Sequence, residues 1–125
     1  MENKKSDVTS ETTVDSCEWL DLDAARDALL IDKNTILELV QQFLQDKAHY
    51  LEPLKGSLVQ QDWQNLVAYA HRLKGTATNL RIYGLGEPAL DLEKAAEQEN
   101  VHFCEEQLQL IEDRFTVLAR IVEQR

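Results

Sequence analysis

The chain has 125 residues, enough for one domain whose single core needs neither disulfides nor metals. Hydrophobic residues make up 43% of the sequence, which is typical of a soluble globular protein. The formal net charge of −10 at pH 7 argues against a nucleic-acid partner, because phosphate backbones repel an acidic surface. No stretch approaches the ~20 apolar residues that span a membrane, and residues 1–16 contain no apolar targeting segment. Cys17 and Cys104 are far apart and form no CxxC pair, so free thiols and a cytoplasmic location are predicted.

The first part of the chain combines a polar leader with a short helix. Residues 1–17 are rich in Ser, Thr, Lys and Glu and are predicted to be disordered, whereas residues 18–125 are predicted to form a single domain. A short amphipathic helix is predicted from about Asp21 onward. Its apolar face is formed by Leu22, Ala25 and Leu29.

A long second helix follows, with Asp32 or Asn34 as its predicted N-cap. Pro53 lies inside this helical pattern and is expected to bend or divide the helix near Leu51, because proline has no backbone N–H to donate. The apolar residues of this segment recur at heptad spacing: Leu37, Val40, Leu44, Leu51, Leu54 and Leu58.

Three further amphipathic helices complete the chain. Asp62 is the predicted N-cap of the third helix, and Gly84 and Gly86 are expected to end it. Pro88 fits the first turn of the fourth helix, and Asn100 marks the turn before the last. The three apolar stripes are Trp63, Leu66, Ala70, Leu73, Ala77 and Leu80, then Leu85, Ala89, Leu92 and Ala96, then Val101, Cys104, Leu108, Ile111, Phe115, Leu118 and Val122. Short turns between such helices predict an all-α fold, an antiparallel up-down four-helix bundle with an additional short N-terminal helix.

The run His-Arg-Leu-Lys-Gly over residues 71–75 is the strongest functional signal. His71 directly follows a predicted core position, so it lies at the edge of the buried stripe with Lys74, Gly75 and Thr78 on the same exposed flank. An imidazole nitrogen is a nucleophile near neutral pH, and a lysine one turn away can partly neutralise an added phosphoryl group. These residues predict a histidine that carries a phosphoryl group, although an ordinary surface histidine beside a lysine shows the same His-x-x-Lys spacing.

The charge distribution along the chain supports a site for an anion. No acidic residue occurs between Asp62 and Glu87, while Arg72, Lys74 and Arg81 supply three positive charges there. Such a window indicates a positive surface for an anionic group or an acidic partner. The alternative is a chance gap in a helix that is largely buried.

The segment 70–77, AHRLKGTA, followed by Leu80 and Leu85, resembles the signature of the histidine-containing phosphotransfer (HPt) family. That signature is a histidine, a hydrophobic residue two positions later, then Lys-Gly and two small residues. The resemblance extends from about Leu20 to Val122. It implies a four-helix bundle in which His71 accepts a phosphoryl group from an aspartate of one receiver domain and passes it to another.

The resemblance also implies the partners and the cofactors. The expected partners are response-regulator receiver domains and a hybrid sensor kinase, and a monomer is expected. HPt domains carry phosphate without binding ATP, and this chain contains no glycine-rich phosphate loop. A phosphocarrier rather than an enzyme is therefore predicted, with no cofactor or metal of its own, since Mg²⁺ would be held by the receiver.

The family places a polar acceptor 22 residues after the histidine, where it bonds the second ring nitrogen. That position here is Glu93. Glu93 follows the core residue Leu92 just as His71 follows Ala70, so both can flank one groove between helices. A carboxylate there would orient the ring. The alternative is an ordinary exposed helix glutamate, of which this acidic chain has several.

Three positions depart from the family pattern, and one of them is Pro88, which would shorten the start of the fourth helix relative to many members. Arg81 stands where the family commonly has glycine, and Thr76 stands where serine or alanine is usual. The predicted docking surface for a receiver comprises Gly75, Arg72, Thr78 and Arg81. These departures are expected to change the shape of that surface.

Two other functions remain open at this stage. The chain could keep the bundle fold and only bind a partner, with His71 idle. It could also be a di-metal bundle, because Asp46-x-x-His49 and Glu99-x-x-His102 mimic the carboxylate-x-x-His motif that binds iron or manganese between helices.

Overall fold

The computed structural model describes residues 16–17 and 19–123, and these form six helices and one pair of very short strands. The strands are β1, Ser16–Cys17, and β2, Leu20–Asp21, which pair antiparallel. The helices are α1 (Leu22–Leu29), α2 (Lys33–Gln45), α3 (Lys47–Val59), α4 (Trp63–Asn79), α5 (Tyr83–Glu97) and α6 (Val101–Glu123). The predicted leader, residues 1–17, lies outside the described residues apart from β1.

Helices α3 to α6 form the four legs of the bundle. Three-residue turns join them, at 60–62, 80–82 and 98–100, so each leg runs antiparallel to the one before it. α4 packs against α3 and α5, α5 packs against α6, and α6 closes the bundle against α2 and α3. The predicted antiparallel four-helix bundle with a short additional helix at its N-terminal side is confirmed.

Side chains of aspartate begin three of these helices. Asp21 accepts a hydrogen bond from the backbone N–H of Ala24, and Asp32 accepts one from Thr35, both at 2.9 Å. Asp62 accepts from the N–H of Asn65 at 3.3 Å. A carboxylate at this position satisfies an N–H that has no partner within the helix, and its charge suits the positive end of the helix dipole. The Asp62 cap is therefore confirmed, and Asp32 rather than Asn34 caps α2.

The long second helix of the prediction is divided, but Pro53 does not divide it. The break lies at Asp46, which ends α2 and precedes α3, and Pro53 lies within α3. A proline in the second turn of a helix removes only one intrahelical hydrogen bond, so the helix continues through it. The prediction of a break near Leu51 was wrong, and the alternative of a bend at this proline stays a prediction.

Gly84 and Gly86 do not end a helix, contrary to the prediction. Both are buried in the first turn of α5, where an added Cβ at Gly84 would lie 2.6 Å from the Trp19 side chain and one at Gly86 would lie 3.0 Å from Thr78 Oγ1. The glycines allow this close packing, and α4 ends instead at Leu80.

The turn after α4 depends on a residue with left-handed backbone. Arg81 has a φ of 60°, and the residues just past the ends of α1, α3 and α5 share this conformation, with φ between 53° and 58° at Leu30, Gln61 and Glu99. A left-handed residue here lets the following N–H groups bond the last carbonyls of the helix. The N–H of Ile82 accordingly bonds the carbonyl oxygen of Ala77 at 2.8 Å.

Pro88 lies in the second turn of α5 rather than the first, because α5 begins at Tyr83. Since Pro88 has no N–H, the carbonyl of Gly84 four residues earlier loses its helical partner. The Arg114 guanidinium of α6 takes that place, donating from Nη1 to the Gly84 oxygen at 3.0 Å and stacking 4.7 Å above the Trp19 ring. The same arginine thus anchors the N-terminal segment and replaces a missing helical bond.

The core is one continuous apolar cluster to which every helix contributes. Its largest fully buried side chains are Phe115, Leu20, Leu22, Ile36, Leu51, Leu54, Leu66, Leu73, Ile82, Leu85, Leu92 and Ile111. Most predicted stripe positions are buried, whereas Leu37 is only half-buried and Leu29 is 40% exposed. Ile36 takes the core position in α2, where it shares the buried face with Val40, Phe43 and Leu44. No helix among the described residues is long and apolar enough to cross a membrane.

Candidate functional site

His71 stands at the middle of α4, on the side of the helix that turns away from the core. The neighbouring residues Ala70 and Leu73 are fully buried, while the His71 side chain is 64% exposed. Burial of the apolar stripe of α4 therefore fixes the rotation of the helix and leaves the imidazole in solvent. The ring can be reached by another macromolecule.

Glu93 of α5 holds one nitrogen of the ring. His71 Nδ1 lies 3.1 Å from Glu93 Oε2, and the Glu93 side chain is only 15% exposed. A carboxylate can only accept, so Nδ1 carries the proton in this hydrogen bond and Nε2 keeps its lone pair. In the neutral ring, the nitrogen that Glu93 does not hold is thus the one with nucleophilic character.

Lys74 shares the same carboxylate. Its Nζ lies 3.3 Å from Glu93 Oε1, one turn along α4 from His71. The distance makes an ion pair, but Oε1 accepts no hydrogen bond with good geometry and has no direct access to solvent. The two oxygens of Glu93 are therefore used unequally, one in a directed hydrogen bond and the other in a looser charge contact.

Gly75 leaves an open surface beside the imidazole. No atom lies within 4 Å of the position that a Cβ would take there, apart from the helix itself. Gly75 has none of the close contacts that Gly84 and Gly86 make, so the interior packing of the domain does not require a glycine at this position.

The remaining residues of the predicted docking surface are held by local contacts. The Thr78 hydroxyl packs over Gly86 of α5. Arg81 folds back on α4, donating from Nη1 to the carbonyl oxygen of Thr78 at 2.8 Å, where a cation also suits the negative end of the helix dipole. The Arg72 guanidinium lies 5.5 Å from the centre of the Tyr69 ring.

The segment between Asp62 and Glu87 contains no acidic residue, but in the folded chain the carboxylate of Glu93 from α5 lies next to it. The three cations consequently differ. Lys74 faces Glu93, Arg81 caps a helix end, and Arg72 rests on an aromatic ring at an exposed position. Two contacts at this surface were not predicted from the sequence, that of Tyr69 with Arg72 and that of Gly86 with Thr78. Tyr69 stands three residues before Arg72, a spacing that could have revealed the contact, whereas no local pattern pairs Gly86 with Thr78.

The two carboxylate-x-x-His motifs do not converge. Across residues 16–17 and 19–123, no three side chains of His, Cys, Asp or Glu lie close enough together to hold a metal ion. His102 Nε2 contacts Glu106 at 3.3 Å on the exposed surface of α6, and the His49 ring packs edge-on against Tyr50.

Comparisons with known proteins agree with this architecture. The family model described as "Hpt domain" matches residues 38–121, so the chain belongs to the Hpt domain family. The crystal structure of the HPT domain from the Hpt sensor hybrid histidine kinase from Shewanella is similar in fold, with a TM-score of 0.67 and 20% sequence identity over 84% of this chain and 91% of that chain. No match was found among curated proteins. The protein is therefore a phosphotransfer module of a phosphorelay, a class that acts with receiver domains and histidine kinases.

Proposed function

We propose that this protein is a phosphocarrier in which His71 accepts a phosphoryl group from the aspartate of one receiver domain and delivers it to another. The observation that carries this proposal is the state of the His71 ring, whose Nδ1 is held by Glu93 while the side chain as a whole is 64% exposed. Family membership supports the same conclusion.

The reaction needs few groups from this chain. The Nε2 lone pair attacks phosphorus, the N–P bond forms, and the bond from phosphorus to the aspartyl oxygen breaks with its electron pair leaving on the aspartate. Transfer onward reverses these roles with a second aspartate. Glu93 fixes the ring and its tautomer throughout, which removes rotational freedom before the reaction. Mg²⁺ would come from the receiver, and this chain supplies no cofactor of its own.

The surface around His71 supports docking of a receiver. Gly75 leaves room beside the ring, and Arg72 and Thr78 lie on the same exposed side of α4. A receiver concentrates carboxylates around its aspartate, so a cation such as Arg72 favours the encounter. Arg81 contributes mainly through the shape of the turn after α4, because its guanidinium already bonds the helix end. We propose a cytoplasmic monomer that receives its phosphoryl group from a hybrid sensor kinase and binds neither nucleic acid nor membrane.

The direct test is phosphorylation by a purified, phosphorylated receiver domain. The wild-type protein is expected to gain the mass of one phosphoryl group, with the acid lability of a phosphohistidine, and His71→Gln is expected to gain none. His102→Gln is the matched control, since His102 is also an exposed helix histidine beside a glutamate. A phosphoryl group that is still gained by His71→Gln would refute the assignment of His71 as the phosphorylated residue. An unmodified wild-type protein that still binds receivers would instead identify a binding module.

A further inference from the structure

The Glu93 carboxylate is shared by two residues of the phosphotransfer helix, and this sharing has a consequence for the charge balance of the reaction. Oε2 accepts from His71 Nδ1 at 3.1 Å, and Oε1 lies 3.3 Å from Lys74 Nζ. Glu93 is 15% exposed and Lys74 is 27% exposed, whereas the imidazole is mostly in solvent. A carboxylate in this half-enclosed position needs a positive charge nearby to offset its lost hydration.

The Lys74 contact is the weaker of the two and can be exchanged. Oε1 receives no hydrogen bond of good geometry from the ammonium. Lysine ends in a compact charge on a flexible stem with three rotatable donors, so it can change direction at small cost. Partly exposed lysine–carboxylate pairs of this kind are weak. A stronger anion within reach would attract Lys74 away from Glu93.

Phosphorylation of His71 creates that stronger anion. The phosphoryl group brings about two negative charges to Nε2, one turn from Lys74, against the single charge of Glu93. Attack by the Nε2 lone pair moves no proton, so Nδ1 keeps its hydrogen and the phosphorylated ring becomes cationic. The cationic ring, already hydrogen-bonded to Oε2, then neutralises Glu93 in place of Lys74. The carboxylate is thus paired with a cation both before and after transfer.

We propose that Lys74 exchanges partners during the reaction, contacting Glu93 in the resting protein and the phosphoryl oxygens in the phosphorylated one. This inference rests on the proposed function. Glu93 is then a positioning residue in two respects, since it orients the His71 ring and holds the lysine next to the place where negative charge arrives.

The exchange can be tested by the NMR signal of the Lys74 ammonium in the intact chain. Phosphorylation uses phosphoramidate, a small donor that needs no receiver, and mass spectrometry establishes that the phosphoryl group is present. In the resting protein, Glu93→Gln is expected to shift the Lys74 Nζ signal. In the phosphorylated protein, the same substitution is expected to leave that signal unchanged, because Lys74 no longer contacts residue 93. A shift of equal size in both states would overturn the exchange.

A second measurement uses the amount of phosphohistidine formed. Lys74→Met is expected to lower the level of phosphorylation by phosphoramidate about two- to fivefold, the effect of a partly exposed charge contact. Lys74→Arg should restore most of it. Lys94→Met is the matched control, since it removes the same charge from an exposed position next to Glu93 in the sequence. Equal effects of Lys74→Met and Lys94→Met would contradict a direct contact with the phosphoryl group.

These outcomes separate the inference from the proposed function. Phosphorylation of His71 with an unchanged Lys74 contact would overturn the partner exchange and leave the phosphocarrier intact. Absence of any phosphohistidine in the wild-type protein, with phosphoramidate and with a phosphorylated receiver, would overturn both.

Discussion

Substitution of Gly75 separates what the fold requires from what docking requires. Gly75 lies inside α4, where alanine is a better helix former by about 0.5–1 kcal/mol. A Cβ at this position meets no atom of another element within 4 Å, so no steric clash offsets the gain in helix stability. Gly75→Ala is therefore expected to raise the free energy of unfolding by about 0.5–1 kcal/mol. For a domain of this size the melting temperature should rise by about 2–4 °C.

Two other glycines calibrate this prediction. Gly56 in α3 is equally free of neighbours within 4 Å, so Gly56→Ala should give a similar gain. Gly84 is the opposite case, because its Cβ would lie 2.6 Å from Trp19, and Gly84→Ala should cost about 1–3 kcal/mol. Urea titration and thermal melts of the three variants measure these differences. A loss of stability in Gly75→Ala would refute the reasoning, since it would show that the fold itself requires this glycine.

The rate of phosphoryl transfer tests whether docking of the receiver requires the glycine. Gly75→Gln places a long side chain beside His71 and is expected to slow phosphorylation by a receiver about tenfold or more, while the domain stays folded. Gly56→Gln carries the same side chain on α3 and is expected to transfer at the wild-type rate. The initial rate of label transfer from a phosphorylated receiver measures both. Equal rates for Gly75→Gln and Gly56→Gln would refute the role of Gly75 as an open approach.

Other changes test the remaining parts of the structure. Glu93→Ala is expected to slow phosphorylation of His71 about 10–100-fold, because it removes a charge-assisted hydrogen bond worth about 1.5–3 kcal/mol. Glu93→Gln keeps an acceptor oxygen, so its rate should fall less. Equal phosphorylation rates in the two variants would contradict this role of Glu93. Arg81→Gly is expected to stabilise the domain by about 0.5–1 kcal/mol in urea titrations, because glycine adopts a φ of 60° without the strain of a Cβ, and Gln61→Gly at a φ of 53° should behave alike. Burial raises the pKa of the Cys104 thiol. In a variant that lacks the other cysteine, iodoacetamide should therefore react with Cys104 only after unfolding. The free energy of unfolding should fall as the pH rises through the alkaline range, because the thiol of the unfolded chain ionises first. Rapid alkylation of the native protein would contradict the buried position.

Most of the fold was predictable from local patterns. Apolar residues at 3-4 spacing predicted the legs α4 and α6, polar residues before the helices predicted a cap of α2 at Asp32 or Asn34, and Asp62 was predicted to cap α4. The errors fell at glycine and proline. Gly84 was interpreted as a helix end, whereas it serves a close contact with Trp19. Pro88 was placed in a first turn, whereas it lies in the second turn and the bond that it displaces is replaced from α6 by Arg114. Such contacts join distant parts of the chain, so neighbouring residues carry no signal of them.

The site divides in the same way. The sequence by itself determined that His71, Lys74 and Gly75 share one flank of a helix, because helical periodicity alone sets that arrangement. The same periodicity predicted an exposed imidazole, as the structure shows, whereas only the packing of α5 against α4 decided that one carboxylate, that of Glu93, contacts both His71 and Lys74. The physical reason is that helix geometry is local, whereas the charge environment of a side chain depends on which other helix lies beside it.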